Sequence, residues 1–180
     1  GAMFAIIGSD NDAIAKVCEE TPGFVTPVNF NTPAQTVIAG EPEAAQAAAD
    51  TLSWMGAKAV KLAVNAAFHS KLMADAAEEF YAKIKDFHFH EPNLAVFSNV
   101  TGAALPKDTD LAAYLKKHLI SPVQFVTEMQ NMANAGIDTF VEFGPGKTLT
   151  SFVRKFSRAY TACNVDTLKT YEKAVATLKK

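Results

Sequence analysis

The chemistry open to a chain is bounded by the bases, nucleophiles and ligands it places near one another, and here the histidines are the informative set. There are four: His69, His88, His90 and His118. His69 lies in NAAFHSKLM, residues 65–73, between the apolar run Leu62-Ala63-Val64 and an amphipathic pattern. That junction reads as the end of a strand and the start of a helix. In open α/β sheets, ligands and catalytic groups gather at the carboxyl ends of strands. An imidazole placed there can take or give a proton near neutral pH. Position alone favours an ordinary packing or capping histidine, so the rest of the chain must decide. His88 and His90 alternate in the extended stretch FHFHEP, which puts both on one side. Without a third ligand they read as solvated edge residues, and no metal is expected.

A nucleophile to pair with His69 is not evident. The chain holds no G-x-S-x-G elbow. Ser70 follows His69 directly, so its side chain points elsewhere. The two arginines, Arg154 and Arg158, fall late, so no guanidinium clamp for a carboxylate is evident near His69. Gly144-Pro145-Gly146-Lys147 opens a helix and invites a phosphate reading. It lacks the length of a P-loop and the spacing of a dinucleotide fingerprint, so it reads as a strand-to-helix turn with a surface lysine. On residues alone there is a candidate base and no candidate nucleophile.

Composition narrows the setting. The chain has 180 residues, 49% of them hydrophobic and 20% charged. That suits one domain or slightly more, with a sizeable core. A net charge of -2 gives no electrostatic case for nucleic acid. No apolar run approaches the length needed to cross a bilayer, and no signal-peptide pattern opens the chain. Cys18 and Cys163 sit far apart in apolar patterns and read as buried free thiols. A cytoplasmic, reducing setting is expected.

The elements that must position His69 follow in order. Residues 3–8, MFAIIG, read as a buried strand. Ser9 then offers a helix cap with Asp12 as its partner, and Ile14, Val17 and Cys18 share a face. Residues 24–30 and 35–39 read as a hairpin, with Pro27 marking an edge or bulged strand. Pro42 opens a helix that Gly56 closes, and residues 57–64 form another strand. Trp54, on the polar side of that helix, reads as a partly covered aromatic rather than a contact surface. The order strand, helix, strand, strand, helix, strand is the split, ferredoxin-like arrangement. Beyond His69, Met73, Ala76, Ala77, Phe80 and Ile84 are spaced for a helix, and residues 94–100 read as a strand. Residues 111–119 are a short helix. Ser121, Pro122 and Gln124 signal the start of the next, with Val123, Val126, Met129 and Ala133 as its stripe. Strands over 138–143 and 160–165, a helix striped by Leu149, Phe152, Val153 and Phe156, and a final helix over 167–180 complete an alternating, parallel-sheet pattern.

Six stretches carry a resemblance. GAMFAIIG at 1–8, PVNFNTPAQTVIAG at 27–40, AFHSKLM at 67–73, VFSNVTG at 96–102, HLISPVQF at 118–125 and VEFGPGKTL at 141–149 occur in the order found in the malonyl-CoA:acyl carrier protein transacylase family. The chain is similar to the carboxyl-terminal portion of that family along essentially its whole length. The resemblance implies an α/β fold: a ferredoxin-like βαββαβ subdomain, residues 1–65, followed by the C-terminal part of an α/β-hydrolase-like parallel-sheet domain, residues 66–180.

It also implies a chemistry. A serine in a GHSxG elbow attacks a malonyl thioester, and the histidine matched by His69 takes its proton. The acyl group then passes to the phosphopantetheine thiol of acyl carrier protein, so malonyl-CoA is substrate and no resident cofactor is implied. A main-chain carbonyl matched by His118 orients the base. Many relatives carry Gln or Asn there, a departure of little weight because any residue supplies a carbonyl. Phe68, before His69, resembles the malonyl-selecting form of the motif, where its bulk crowds an α-methyl group, a tendency worth only ~1–3 kcal/mol. Asn29 and Asn31 match a stretch lining the cleft side of the small subdomain. They either contact the CoA or phosphopantetheine arm or shape the turn. The family's oxyanion stretch, serine elbow and malonyl-binding arginine have no match here. The chain therefore resembles a fragment, with a companion amino-terminal piece as a further expected partner. Alternatives are a non-catalytic module that binds acyl carrier protein and a trans-acting polyketide acyltransferase.

Overall fold

The computed structural model describes residues 1–179, and the chain forms two compact units, residues 1–128 and 129–180. The first unit is built on a four-stranded antiparallel sheet. Its strands are β1 (Ala2–Ile7), β2 (Val25–Thr32), β3 (Gln35–Gly40) and β4 (Lys58–Lys61), in the spatial order β2-β3-β1-β4. Between them run helices α1 (Asn11–Glu20) and α2 (Pro42–Trp54). β1 is central: Ala5 lies opposite Val37 of β3 on one side and Val60 of β4 on the other.

The strand period of two sorts β1 onto two faces. Ala2, Phe4 and Ile6 join Ile14, Val17 and Cys18 of α1 and Ala44, Ala45, Ala48, Ala49 and Leu52 of α2. The alanine stripe of α2 lets that helix lie close on the sheet. Ile6, Ile14 and Leu52 are fully buried, and each contributes roughly 1.5–3 kcal/mol. Met3 and Ala5 point the other way, onto Val28, Val37, Ala39 and Ala67. That second cluster tethers the His69 segment, since Ala67 is part of it.

Asp10, not Ser9, caps α1: its carboxylate accepts from the Ala13 amide at 2.8 Å. Around Pro27 the β2–β3 register shifts, as a bulge does. Trp54 is 89% exposed, so the expectation of partial cover is corrected: it is the last residue of α2 and lies off that helix's buried face. Beyond β4 the chain turns irregularly to a 3-10 turn, Lys71–Met73, and then α3 (Ala74–Ile84). In α3, Ala77 and Ile84 are buried, whereas Phe80 of the expected stripe is exposed. His88 and His90 are not buried, and their rings meet edge to face at 4.7 Å.

Residues 94–100 do not form the expected strand. A single bridge, Phe97 to Ala104, is made there, and Leu94 is 83% exposed. Among the described residues no strand lies beside this run, and an extended apolar segment without a ladder partner has nothing to hold it regular. Helix α4 (Leu111–Ile120) is capped by Asp110. The next helix, α5 (Phe125–Asn134), begins after the Ser121-Pro122-Gln124 signal rather than on it, because Val123 is drawn into a bridge with β2.

In the second unit, β5 (Thr139–Phe143) and β6 (Thr161–Val165) pair in parallel, with α6 (Thr148–Phe156) between them and α7 (Leu168–Leu178) after. The Gly144-Pro145-Gly146 turn places both glycines at positive φ, 132° and 87°. A Cβ is strained in that region. Gly146 donates its amide to Asp166 and accepts from the Asn164 side chain. Cys18 and Cys163 are both buried free thiols, and burial followed by the Glu19 charge pushes the Cys18 thiol up to about 12. No helix among the described residues is long and apolar enough to cross a membrane.

Candidate active site

The backbone around His69 is unusual. His69 has φ 62°. A non-glycine residue enters that left-handed region only at a cost of about 1–2 kcal/mol. Its neighbours hold it there. Ala67 is locked in the sheet's second cluster. Ser70 is buried, donates its hydroxyl to the Ala67 carbonyl at 2.7 Å and accepts from the Leu72 amide, closing the turn that opens the 3-10 helix. Ser70 is thus committed to backbone.

The ring meets α4. His69 Nδ1 lies 3.2 Å from the His118 carbonyl oxygen. A carbonyl only accepts, so Nδ1 carries a proton, and the neutral form of the ring is the one with a bare Nε2. An imidazole held in that tautomer is a base ready to take a proton from a hydroxyl or thiol.

The carbonyl is itself well anchored. His118 and Tyr114 stack with ring centroids 6.0 Å apart, and the His118 and His69 rings are 5.4 Å apart. Lys116 of the same helix pairs with Glu78 of α3 at 2.6 Å. After α4 the chain is tied at both ends by one residue: the Asn99 side-chain amide contacts His118 Nε2 at 3.3 Å, and the Asn99 carbonyl accepts from the Gln124 amide at 2.7 Å. Burial, and then the nearby His69, lower the His118 imidazole below the ordinary histidine range, because both disfavour the charged ring.

Asn99 sits at the head of a tight turn. The fully buried Ser98 accepts at its hydroxyl from the amides of Val100 and Thr101, and its carbonyl accepts from Gly102. Such hydroxyl-to-backbone bonds are what favour serine in turns. Gly102 has φ 69°, and a Cβ there would lie 2.7 Å from Thr127. Asn99 is the site residue that motif reading missed; the signal lay in the Ser-Asn-x-Thr-Gly turn chemistry.

The linker between α4 and α5 also reaches the sheet. Phe30 donates to the Val123 carbonyl at 2.9 Å and Val123 donates to Val28 at 2.8 Å, bracketing Asn29. Asn29 and Asn31 are half-buried on β2, and Phe68 is 40% exposed beside His69. The structure therefore brings His69 and the His118 carbonyl into contact and ties Asn29 to the same linker. A cavity of about 750 Å³ elsewhere in the unit, lined by Phe87, Leu94, Val96, Leu105 and others, includes neither histidine.

Residues 2–177 match the acyl transferase domain family. The chain is 36% identical over 174 residues to the malonyl CoA-acyl carrier protein transacylase of Haemophilus influenzae, covering 95% of this chain and 56% of that protein. It is 38% identical over 165 residues to its Escherichia coli K12 namesake, covering 90% of this chain and 53% of that one. Among solved structures, the transacylase of Clostridium perfringens superposes with a TM-score of 0.95 at 33% identity, over 99% of this chain and 57% of its own. A malonyl-transacylase in complex with a type II PKS acyl-carrier protein superposes with a TM-score of 0.91 at 32% identity, over 97% of this chain and 58% of that one. The chain thus spans little more than half the length of the relatives it matches. It is an α/β chain that belongs to the acyl transferase domain family.

Proposed function

We propose that this chain supplies the histidine-bearing part of a malonyl-CoA:acyl carrier protein transacylase, and that the nucleophilic serine comes from polypeptide outside these 180 residues. In this reading His69 Nε2 takes the serine proton as the hydroxyl oxygen attacks the malonyl thioester. The tetrahedral intermediate expels the CoA thiolate, which recovers that proton. The phosphopantetheine thiol of acyl carrier protein then gives its proton to His69 and attacks the acyl-serine, and the serine leaves reprotonated. The His118 carbonyl fixes the tautomer and stabilises the imidazolium that forms twice per turnover. Phe68 crowds branched extenders, and Asn29 and Asn31 meet the pantetheine arm. The βαββαβ part, residues 1–65, is the family's ferredoxin-like subdomain, a reading its strand order β2-β3-β1-β4 supports. Residues 66–180 belong to the hydrolase-like domain. Two free buried thiols suit a reducing, cytoplasmic setting.

The observation that carries the reading is the Nδ1 contact to the His118 carbonyl, which leaves Nε2 as the base. The test combines this chain with the separately produced amino-terminal part of the Clostridium perfringens relative and supplies radiolabelled malonyl-CoA, then holo acyl carrier protein. Label should appear on protein only in the mixture and pass to the carrier. His69→Ala should lower the rate by about 10²-fold or more, the scale of a lost general base. Capture of acyl carrier protein without label in either mixture would instead make the chain a binding module.

A further inference from the structure

The mechanism uses the carbonyl of His118 and leaves its imidazole unexplained. That ring stands 5.4 Å from the base. At such a separation a charge on one ring opposes a charge on the other. A second imidazole beside a general base is a competitor for the same proton unless something keeps it neutral. Asn99 is placed to do so. Its Nδ2 lies 3.3 Å from His118 Nε2. An amide nitrogen only donates, so His118 Nε2 is the acceptor and the ring proton sits on Nδ1. A doubly protonated His118 would present N–H to N–H and lose that bond.

We infer that Asn99 is a positioning residue for the proposed base: by donating to His118 Nε2 it holds the second imidazole neutral and fixed, so that the proton taken during acyl transfer stays on His69. The surroundings agree. From its own helix, Tyr114 stacks on the ring. From α3, Glu78, which could have favoured a charged ring, is spent on Lys116, whose ammonium also lies over Tyr81. From the 3-10 turn, Lys71 is turned to the Phe24 ring at 4.2 Å. The same Asn99 fixes the far end of the linker through Gln124, so one residue sets both the ring and the carbonyl that His69 uses.

The inference rests on the proposed role of His69, but the tautomer and charge claims can be tested without acyl transfer, which separates their failure from failure of the functional reading. The probe is nitrogen NMR of the histidine-labelled chain across a pH titration. Wild-type His118 should show the Nδ1–H neutral tautomer at neutral pH and titrate below the ordinary histidine range. Asn99→Asp places a carboxylate where the amide was, so His118 should titrate about one unit or more higher. His118→Gln keeps the carbonyl and removes the ring; because that ring was neutral, the His69 midpoint should stay put. In the labelling assay above, Asn99→Asp should shift the pH profile, a change that mere loss of folded protein does not produce. An Nε2–H tautomer for wild-type His118, or a His69 midpoint that rises in His118→Gln, overturns the inference even if Asn99→Asp fails to fold.

Discussion

Two residues carry costs that the surrounding fold absorbs. His69 occupies a left-handed backbone position that no glycine relieves. Asparagine tolerates that region and valine does not, because two branches on Cβ crowd the carbonyl. His69→Val should therefore be less stable than His69→Asn by about 1–2 kcal/mol in urea unfolding. Equal stabilities would show that the turn relaxes. Glu128 is the other case. It is buried, its Oε2 has no hydrogen-bond partner among the described residues, and burial pushes its carboxyl up to about 7. A carboxyl raised in the folded state favours folding only while protonated. Its contribution is fully present below the unfolded value near 4.5 and is lost as pH rises through about 7. Glu128→Gln, which cannot ionise, should match wild type near pH 4 and exceed it by roughly 2–3 kcal/mol at pH 8. A difference independent of pH would mean that the carboxyl finds a partner.

At the scale of elements, helix ends show most clearly what sequence can and cannot carry. The strand-helix alternation, the α2 stripe and the hairpin are legible, because each rests on period and local turn chemistry. His69 and the His118 carbonyl are legible only as members of motifs; the contact between them joins residues 49 apart and leaves no local trace. The strand expected at 94–100 fails because a strand needs a neighbour, which periodicity does not report. The role of Glu142 is invisible for the same reason. It lies on β5, reads as an ordinary strand charge, and caps α6 by accepting from the amides of Leu149 and Thr150 at 3.1 and 2.7 Å. Partial burial works to raise its carboxyl, but the bonds from Thr150, Leu149 and Thr148 outweigh that and hold it below the usual range. A depressed carboxylate stabilises above its unfolded value and loses that stabilisation as pH falls through its folded value. Glu142→Ala should cost about 1 kcal/mol at pH 7, as lost caps do, and progressively less in acid. Thermal melts at the two pH values measure this, and a cost that grows in acid would contradict the capping role.

At the scale of the chain, the two units are unequally provided for. Residues 1–128 hold a four-stranded sheet with a buried cluster on each face. Residues 129–180 hold a two-stranded parallel sheet, flanked by α6 and α7, whose buried side chains among the described residues are Met129, Thr150, Val153, Cys163 and Ala174. A two-stranded sheet is marginal alone, and parallel strands usually need cover on both faces. Stability should therefore be graded along the chain rather than uniform, and global two-state unfolding should not be assumed. Native-state hydrogen exchange reads the gradient directly. Amides of Ile6 and Ile38, central in the sheet and fully buried, should exchange only through the largest openings. Those of Val141 and Cys163 should exchange through a smaller, sub-global opening that leaves the first unit intact, with a denaturant dependence less steep because less surface is exposed. Equal protection and equal slopes in both units would mean that residues 129–179 borrow their stability from the first unit and open only with it.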